Sequence, residues 1–214
     1  MRFLLLALTL STGCVSQSTY QAALDKNETL QNQVDKLQAR LQKDRAAFDA
    51  IFADLKPLVD KGVLKVENRN GRVTIGLSSD ILFASGSATL SDSGKGTIAE
   101  VSRLLARHAS DHSFQVEGHT DSDAISTAQF PDNYYLGAAR AITVAEYMTA
   151  QGFPKARISA ATFADTVPVS SNSTDSGKLQ NRRIELVLLP DLSDVAGVSG
   201  GKKHNDQKKK KKKN

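Results

Sequence analysis

The sequence predicts an α+β protein: a two-layer α/β sandwich in the order β-α-β-α-β-β, preceded by a helical, coiled-coil-like segment. Three observations predict it. Residues 23–56 contain no glycine or proline and repeat apolar residues in alternating steps of four and three. Short stretches near 73–77, 113–117, 157–161 and 183–189 carry the alternation or apolar density of strands. Two amphipathic stretches between them are large enough to cover one face of a sheet.

The chain begins with Arg2, then the apolar run Phe3–Leu10, then Ser11-Thr12-Gly13-Cys14. A charged end, a short apolar core and a small-residue exit read as an export signal over 1–13. No stretch reaches the roughly eighteen apolar residues that a membrane-spanning helix needs. Cys14 is the only cysteine, so neither an intrachain disulfide nor a cysteine-based zinc site is available. The run resembles the lipobox of bacterial lipoproteins, with Ser11 where leucine is preferred. That resemblance implies acylation of Cys14, including palmitate-type chains, and a lipidated tether over 14–22. Several acyl chains hold a protein in a bilayer stably, where one holds it marginally. Val15, in place of an aspartate, implies sorting to the outer membrane with the domain facing the periplasm.

In the 23–56 spacer the stripe is Leu30, Val34, Leu37, Leu41, Asp44, Phe48, Ile51 and Leu55, interrupted at Asp44. It suits a coiled coil, and hence a homo-oligomer through residues 23–56, about 50 Å long at ~1.5 Å per residue. The competing reading is a single amphipathic helix lying on the following domain. Pro57 is expected to end or kink it.

The folded domain is expected over 58–191. Val73–Leu77 reads as a strand and Ile81–Phe83 as a short apolar element. Ser91 or Asp92 caps a helix to about His108, with Ile98, Val101, Leu104 and Leu105 buried. Ser113–Glu117 is a strand with Phe114 and Val116 inward. A second helix runs from about Leu136 to Ala150, with Ala139, Ile142, Val144, Tyr147 and Met148 supplying apolar contacts, and Gly152 stops it. Arg157–Ala161 is a strand, 170–181 is rich in turn residues, and Arg183–Leu189 is the strongest strand.

The charge is +5, from 28 Lys and Arg against 23 Asp and Glu. Residues 202–214 hold eight lysines and one aspartate and contribute +7, so residues 1–201 sum to −2. The basic character belongs to a tail at 192–214 with little core material, expected to be disordered. Such a tail contacts anionic lipid or wall polymers, binds a partner electrostatically, or is neutral in function. Nucleic acid is not an expected partner, because the export signal opposes cytosolic access.

Three separated pieces carry the chemistry. Glu117-Gly-His-Thr-Asp121 follows a strand. Asn133 and Leu136 precede a helix containing Ala139-Arg140-Ala141. Asn181-Arg182-Arg183 leads into the last strand. Together they offer a carboxylate, guanidiniums, amides and hydroxyls, a set that suits a zwitterion. Asp121 would take an ammonium and Arg140 a carboxylate. Structural pairing of the same charges is the competing reading. His119 with Asp121 or Asp123 lacks three well-spaced strong metal ligands. With neither a phosphate loop nor a nucleophile elbow, an enzyme is not expected.

Residues from about 73 to 190 resemble the OmpA-like (OmpA/MotB C-terminal) peptidoglycan-binding domain. The resemblance is carried by Ile81–Leu90, Gly118-His-Thr-Asp121, Asn133 with Leu136 and Ala139-Arg-Ala141, and Asn181-Arg182-Arg183, in that order. The Ala124–Asp132 insertion resembles the MotB branch. The resemblance implies non-covalent binding of the peptidoglycan stem peptide at diaminopimelate, with no cofactor and no metal. It implies that Asp121 receives the ammonium and Arg140 the carboxylate. Asn133, Thr120 and Ser122 shape the pocket, and one of Arg182 and Arg183 supports it. His119 is then a structural hydrogen-bonding residue. The implied partners are peptidoglycan and outer-membrane lipid, and the implied role is to tether the two. The alternative is a structural or assembly lipoprotein whose OmpA-like fold no longer binds peptidoglycan. Thr162-Phe163-Ala164 replaces the family's Gly-aromatic-Gly pattern, Gly137 stands where serine is usual, and Lys178 where arginine is usual.

Overall fold

A computed structural model describes residues 16–69 and 72–189; the expected export signal over 1–13, Cys14 and the lysine-rich 192–214 segment lie outside them. The chain divides into two compact units, Met1–Asp44 and Arg45–Asn214.

The helix α1 spans Gln17–Asp60. It starts inside the expected 14–22 tether and passes through Pro57 instead of stopping there. In the first unit its apolar stripe is open to solvent, with Leu24, Leu30, Val34, Leu37 and Leu41 all exposed. In the second unit Ile51, Leu55 and Leu58 enter the core. A proline inside a helix forfeits a backbone bond. Leu55 and Leu58 on either side of Pro57 are buried, and that packing holds the final turn in place. Asp54 adds a contact, accepting from His108 Nε2 at 2.9 Å. The expected boundary at 58 therefore falls inside a packed element.

The sheet has five strands in the order β1-β2-β5-β3-β4. They are β1 (Leu64–Arg69), β2 (Arg72–Ser78), β3 (Ser113–His119), β4 (Ile158–Ala164) and β5 (Arg183–Leu189). Only the β3–β4 pair is parallel; the other three pairs are antiparallel. The strand β1 is absent from the predicted order. Its signal is the dipeptide Asn70-Gly71, the strongest short hairpin cue, between segments that pair Arg69 with Arg72.

The predicted apolar element at 81–83 is a one-turn helix, α2 (Ser79–Leu82), followed by a bridge from Phe83 to Leu90. The helix α3 (Asp92–His108) is capped by Ser91, whose side chain accepts from the Gly94 N–H, and it buries the four predicted apolar residues. The helix α4 (Asn133–Ala150) begins three residues earlier than expected. Asp132 caps it by accepting from the Tyr134 and Tyr135 N–H groups. Its buried face is Leu136, Gly137, Arg140, Ala141, Val144, Ala145 and Met148, whereas Ile142 is exposed. A seven-residue helix, α5 (Asp175–Asn181), occupies the stretch read as turns. Two turns are too short for periodicity to reveal.

Strand alternation divides the sheet into two chemically different faces. Ile75, Leu77, Phe114, Val116, Ile184 and Leu186 pack with Ile98, Val101, Leu105, Val144 and Met148 in one core. The other side of β3 and β5 carries Glu117, His119, Arg183 and Glu185, all buried.

Candidate ligand-binding site

The fold gathers the three motifs at one edge of the sheet. Asp121 follows β3 directly and is buried, with its backbone held on both sides. The Thr120 N–H donates to the Ala164 carbonyl at 2.9 Å, and Thr120 Oγ1 donates to the Asp121 carbonyl at 2.8 Å. Asn133, the first residue of α4, donates from Nδ2 to the carbonyls of Asp121 and Asp123, at 3.3 and 3.0 Å. It thus ties the loop to the helix. Ser122 is exposed, and its N–H donates to Asn172 Oδ1 at 3.4 Å. Asn172 in turn accepts from Asn181, whose Oδ1 also receives the Val169 and Ser170 N–H groups. The Asn of the Asn-Arg-Arg motif is therefore a buried organiser of the 169–172 loop.

The two arginines that follow separate, as adjacent residues entering a strand must. Arg182 reaches the site: its Nη1 donates to Asp121 Oδ2 at 2.6 Å. Its Nε and Nη2 donate to the two carboxylate oxygens of Asp80 at 3.2 and 3.0 Å. These bonds, Asp80's first and then Asp121's, hold the Arg182 guanidinium well above its usual pKa. Arg183 goes to the other face, where it donates to Glu185 and to the carbonyls of Asn181 and Val167. Of the two arginines, one of which was expected to support the site, the alternation of β5 points Arg183 away and leaves Arg182.

Arg140 is 4% exposed. Its Nε donates to the Ser87 carbonyl at 2.8 Å, Nη2 lies 3.5 Å from the Ala84 carbonyl, and the guanidinium sits over the Phe83 ring at 5.1 Å. Among the described residues no carboxylate pairs with it. Burial holds its pKa below the usual arginine value, with Asp80 and Asp121 partly offsetting that at longer range. A buried cation bonded only to carbonyls retains the capacity to attract an anion.

Asp80 was not among the sequence candidates, and Asp123 and Lys178 were not expected to pair. Asp123 accepts from Lys178 Nζ at 2.7 Å, and its N–H donates to Asp121 Oδ1 at 3.2 Å. Asp80 lies 102 positions from Arg182 in the chain, and no local pattern marks it. The site thus alternates Asp80, Arg182, Asp121 and Arg140, an arrangement able to meet both ends of a zwitterion. Grooves of about 480 and 210 Å³ lie elsewhere, and neither includes Asp121 or Arg140. The candidate site is defined by its charge geometry.

The departures at 137 and 162 compensate each other. A Cβ on Gly137 would sit 2.3 Å from Thr162 Oγ1. That hydroxyl donates to the Gly118 carbonyl at 3.1 Å and accepts from the Ala164 N–H at 3.3 Å. Glycine at 137 leaves room for a side chain at 162. Ala164 keeps the left-handed backbone, φ 48°, that a glycine adopts more readily.

This site on this α+β sheet resembles that of an OmpA-like domain, and direct comparison points the same way. Residues 82–182 match the OmpA family model. YtxE of Bacillus subtilis (strain 168), an uncharacterized protein, is 38% identical over 117 residues, covering 54% of this chain and 48% of that one. The probable lipoprotein YiaD of Escherichia coli (strain K12) is 32% identical over 127 residues, covering 59% and 56%. The chain thus spans about half the length of these curated relatives. Among solved structures, the cell wall anchor of the T6SS from Pseudomonas aeruginosa aligns with TM-score 0.61 at 28% identity, over 66% of this chain and 97% of that one.

Proposed function

We propose that this protein binds peptidoglycan non-covalently and tethers it to a membrane. The observation that carries the reading is the buried, carboxylate-free Arg140 beside the Asp121–Arg182 pair. In the finer form, the ligand is the diaminopimelate of the stem peptide. Its carboxylate meets Arg140, and its ammonium meets Asp121, whose oxygens keep acceptor capacity beyond the Arg182 bond. Asn133, Thr120 and Ser122 set the loop, and Arg182 holds Asp121 in place. The reading is of a binding domain, not an enzyme. The similarity to a cell wall anchor and to a probable lipoprotein supports it. The test is co-sedimentation of the purified protein with diaminopimelate-type sacculi; a protein left wholly in the supernatant sinks the reading.

The second reading is a structural or assembly lipoprotein of the same fold without wall binding. The 2.6 Å bond between Arg182 and Asp121 favours it, since the carboxylate already has a cationic partner.

The anchor in this proposal is acylated Cys14 in the outer membrane, with the domain in the periplasm. Among the described residues no helix is long and apolar enough to cross a membrane. Cys14→Ala is expected to lose metabolic acyl labelling; label retained by the variant rules out Cys14 as the attachment point.

The exposed stripe from Leu24 to Leu41 supports association with a second copy through the 23–56 helix. Sedimentation equilibrium of the Cys14→Ala chain is expected to give a dimer or trimer mass. Leu30→Lys combined with Leu37→Lys is expected to return it to monomer; a monomeric parent removes the coiled-coil proposal.

A further inference from the structure

The face of the sheet opposite the apolar core holds a second polar cluster that takes no part in the proposed wall-binding site. Glu117 on β3 and Glu185 on β5 are directly opposite each other across an antiparallel pair. They are 3% and 4% exposed. Like charges in that position repel, and burial sharpens the repulsion. Arginines relieve part of it, and they do so on one side only. Glu117 Oε1 accepts from Arg72 at 2.7 Å, while Glu185 Oε1 accepts from Arg69 at 2.7 Å and from Arg183. Each carboxylate therefore spends Oε1 on guanidinium and turns Oε2 elsewhere.

Both Oε2 atoms converge on His119. Its Nε2 lies 3.6 Å from Glu117 Oε2 and 3.9 Å from Glu185 Oε2. These separations are too long for hydrogen bonds. His119 is 2% exposed, and neither ring nitrogen has a hydrogen-bond partner. A buried imidazole with two unsatisfied nitrogens is costly unless something fills the gap. The ring is held in plane by Phe163, stacked at 5.4 Å and 9°. Above the cluster is a groove of about 210 Å³, lined in part by Arg69, Arg72, Glu117, His119, Phe163 and Glu185. It has room for an ion and a water.

We propose that Glu117 Oε2, His119 Nε2 and Glu185 Oε2 form a binding site for a divalent transition-metal ion of the zinc type. The three donor atoms lie within 4.8 Å of one another. Bonds of about 2.1 Å in tetrahedral geometry place donors roughly 3.4 Å apart. His119 Nε2 lies within about half an ångström of that spacing from both carboxylate oxygens; rotation of the glutamate side chains brings the set together, with water as fourth ligand. Arg69 and Arg72 keep substantial solvent exposure, 36% and 48% of their side chains, and have space to retreat as the ion enters. Three protein donors, one of them an imidazole, suit zinc rather than calcium or magnesium, which take oxygen ligands in larger number.

The test uses the full chain in detergent, stripped with EDTA, dialysed against Zn²⁺ and analysed for bound metal. Wild type is expected to retain about one Zn²⁺ more than His119→Gln or Glu185→Gln, with Asp121→Ala matching wild type. Substitution with Co²⁺ is expected to give tetrahedral visible bands that His119→Gln lacks. Circular dichroism of the stripped variants checks that they fold; should either misfold, Glu117→Gln replaces it. Equal zinc in wild type and the folded variants, or no cobalt spectrum assignable to His119, overturns the proposal. Sacculus binding is read separately, so either site can fail without the other.

Discussion

Alanine at Asp121 or at Arg140 is expected to remove most of the protein's co-sedimentation with sacculi. The two residues offer opposite charges to opposite ends of a zwitterion, in a site where burial amplifies each. Losing one partner of a buried, hydrogen-bonded charge pair costs about 2–5 kcal/mol, roughly thirtyfold or more in Kd. The fold should survive both changes. Arg182 keeps its two bonds to Asp80 when Asp121 is lost. Arg140→Ala frees the Ser87 and Ala84 carbonyls, which lie in a surface loop that water can reach. Circular dichroism separates lost binding from lost structure. Equal co-sedimentation of wild type and both folded variants removes the Asp121–Arg140 pocket, and favours the non-binding structural lipoprotein.

The largest effect on stability is expected from Gly118→Ala. Gly118 lies on the helix-facing side of β3, where the backbone of α4 passes directly over it. A Cβ there would meet the Gly137 carbonyl oxygen at 2.1 Å and its carbon at 2.7 Å. Both are backbone atoms of a packed helix, so strand and helix must part. Overpacking usually costs about 1–3 kcal/mol and more where nothing can yield. A loss of at least ~3 kcal/mol is expected, or roughly 10 °C in Tm. An unchanged melting temperature shows that the contact is looser than described. The neighbouring pair supplies a more discriminating form of the experiment. Gly137→Ser alone should destabilise by about 1–3 kcal/mol, because it collides with Thr162 Oγ1. Thr162→Gly alone should cost less, about 1 kcal/mol for the hydrogen bonds lost. The double variant should recover most of the Gly137→Ser loss, a coupling that additive costs would not show.

The amphipathic helix at 92–108 and the strands at 113–117 and 183–189 were legible because apolar spacing records which face is buried. The same rule misplaced Ile142, which is exposed, and missed Arg140, which lies on the buried face of α4 because its guanidinium reaches the 84–87 carbonyls. The strand β1 and the helix α5 escaped for opposite reasons. One is announced only by its turn dipeptide, and the other is too short to show a period. Pro57 misled because local propensity is weak beside the burial of Leu55 and Leu58.

The order β2, α3, β3, α4, β4, β5 of the longer elements, the lipobox-like start, the separable basic tail and the motif residues Asp121, Arg140 and Asn133 are all legible in the sequence, since each rests on local pattern. Which arginine of the Arg182-Arg183 pair meets Asp121 was decided only by the register of β5. The partnership with Asp80, 102 residues away, was decided only by how α2 packs at the sheet edge. The convergence of Glu117, His119 and Glu185 likewise needed the pairing of β3 with β5. Sequence spacing dictates which side of its own element a residue occupies; only chain crossing and strand pairing dictate what stands opposite it.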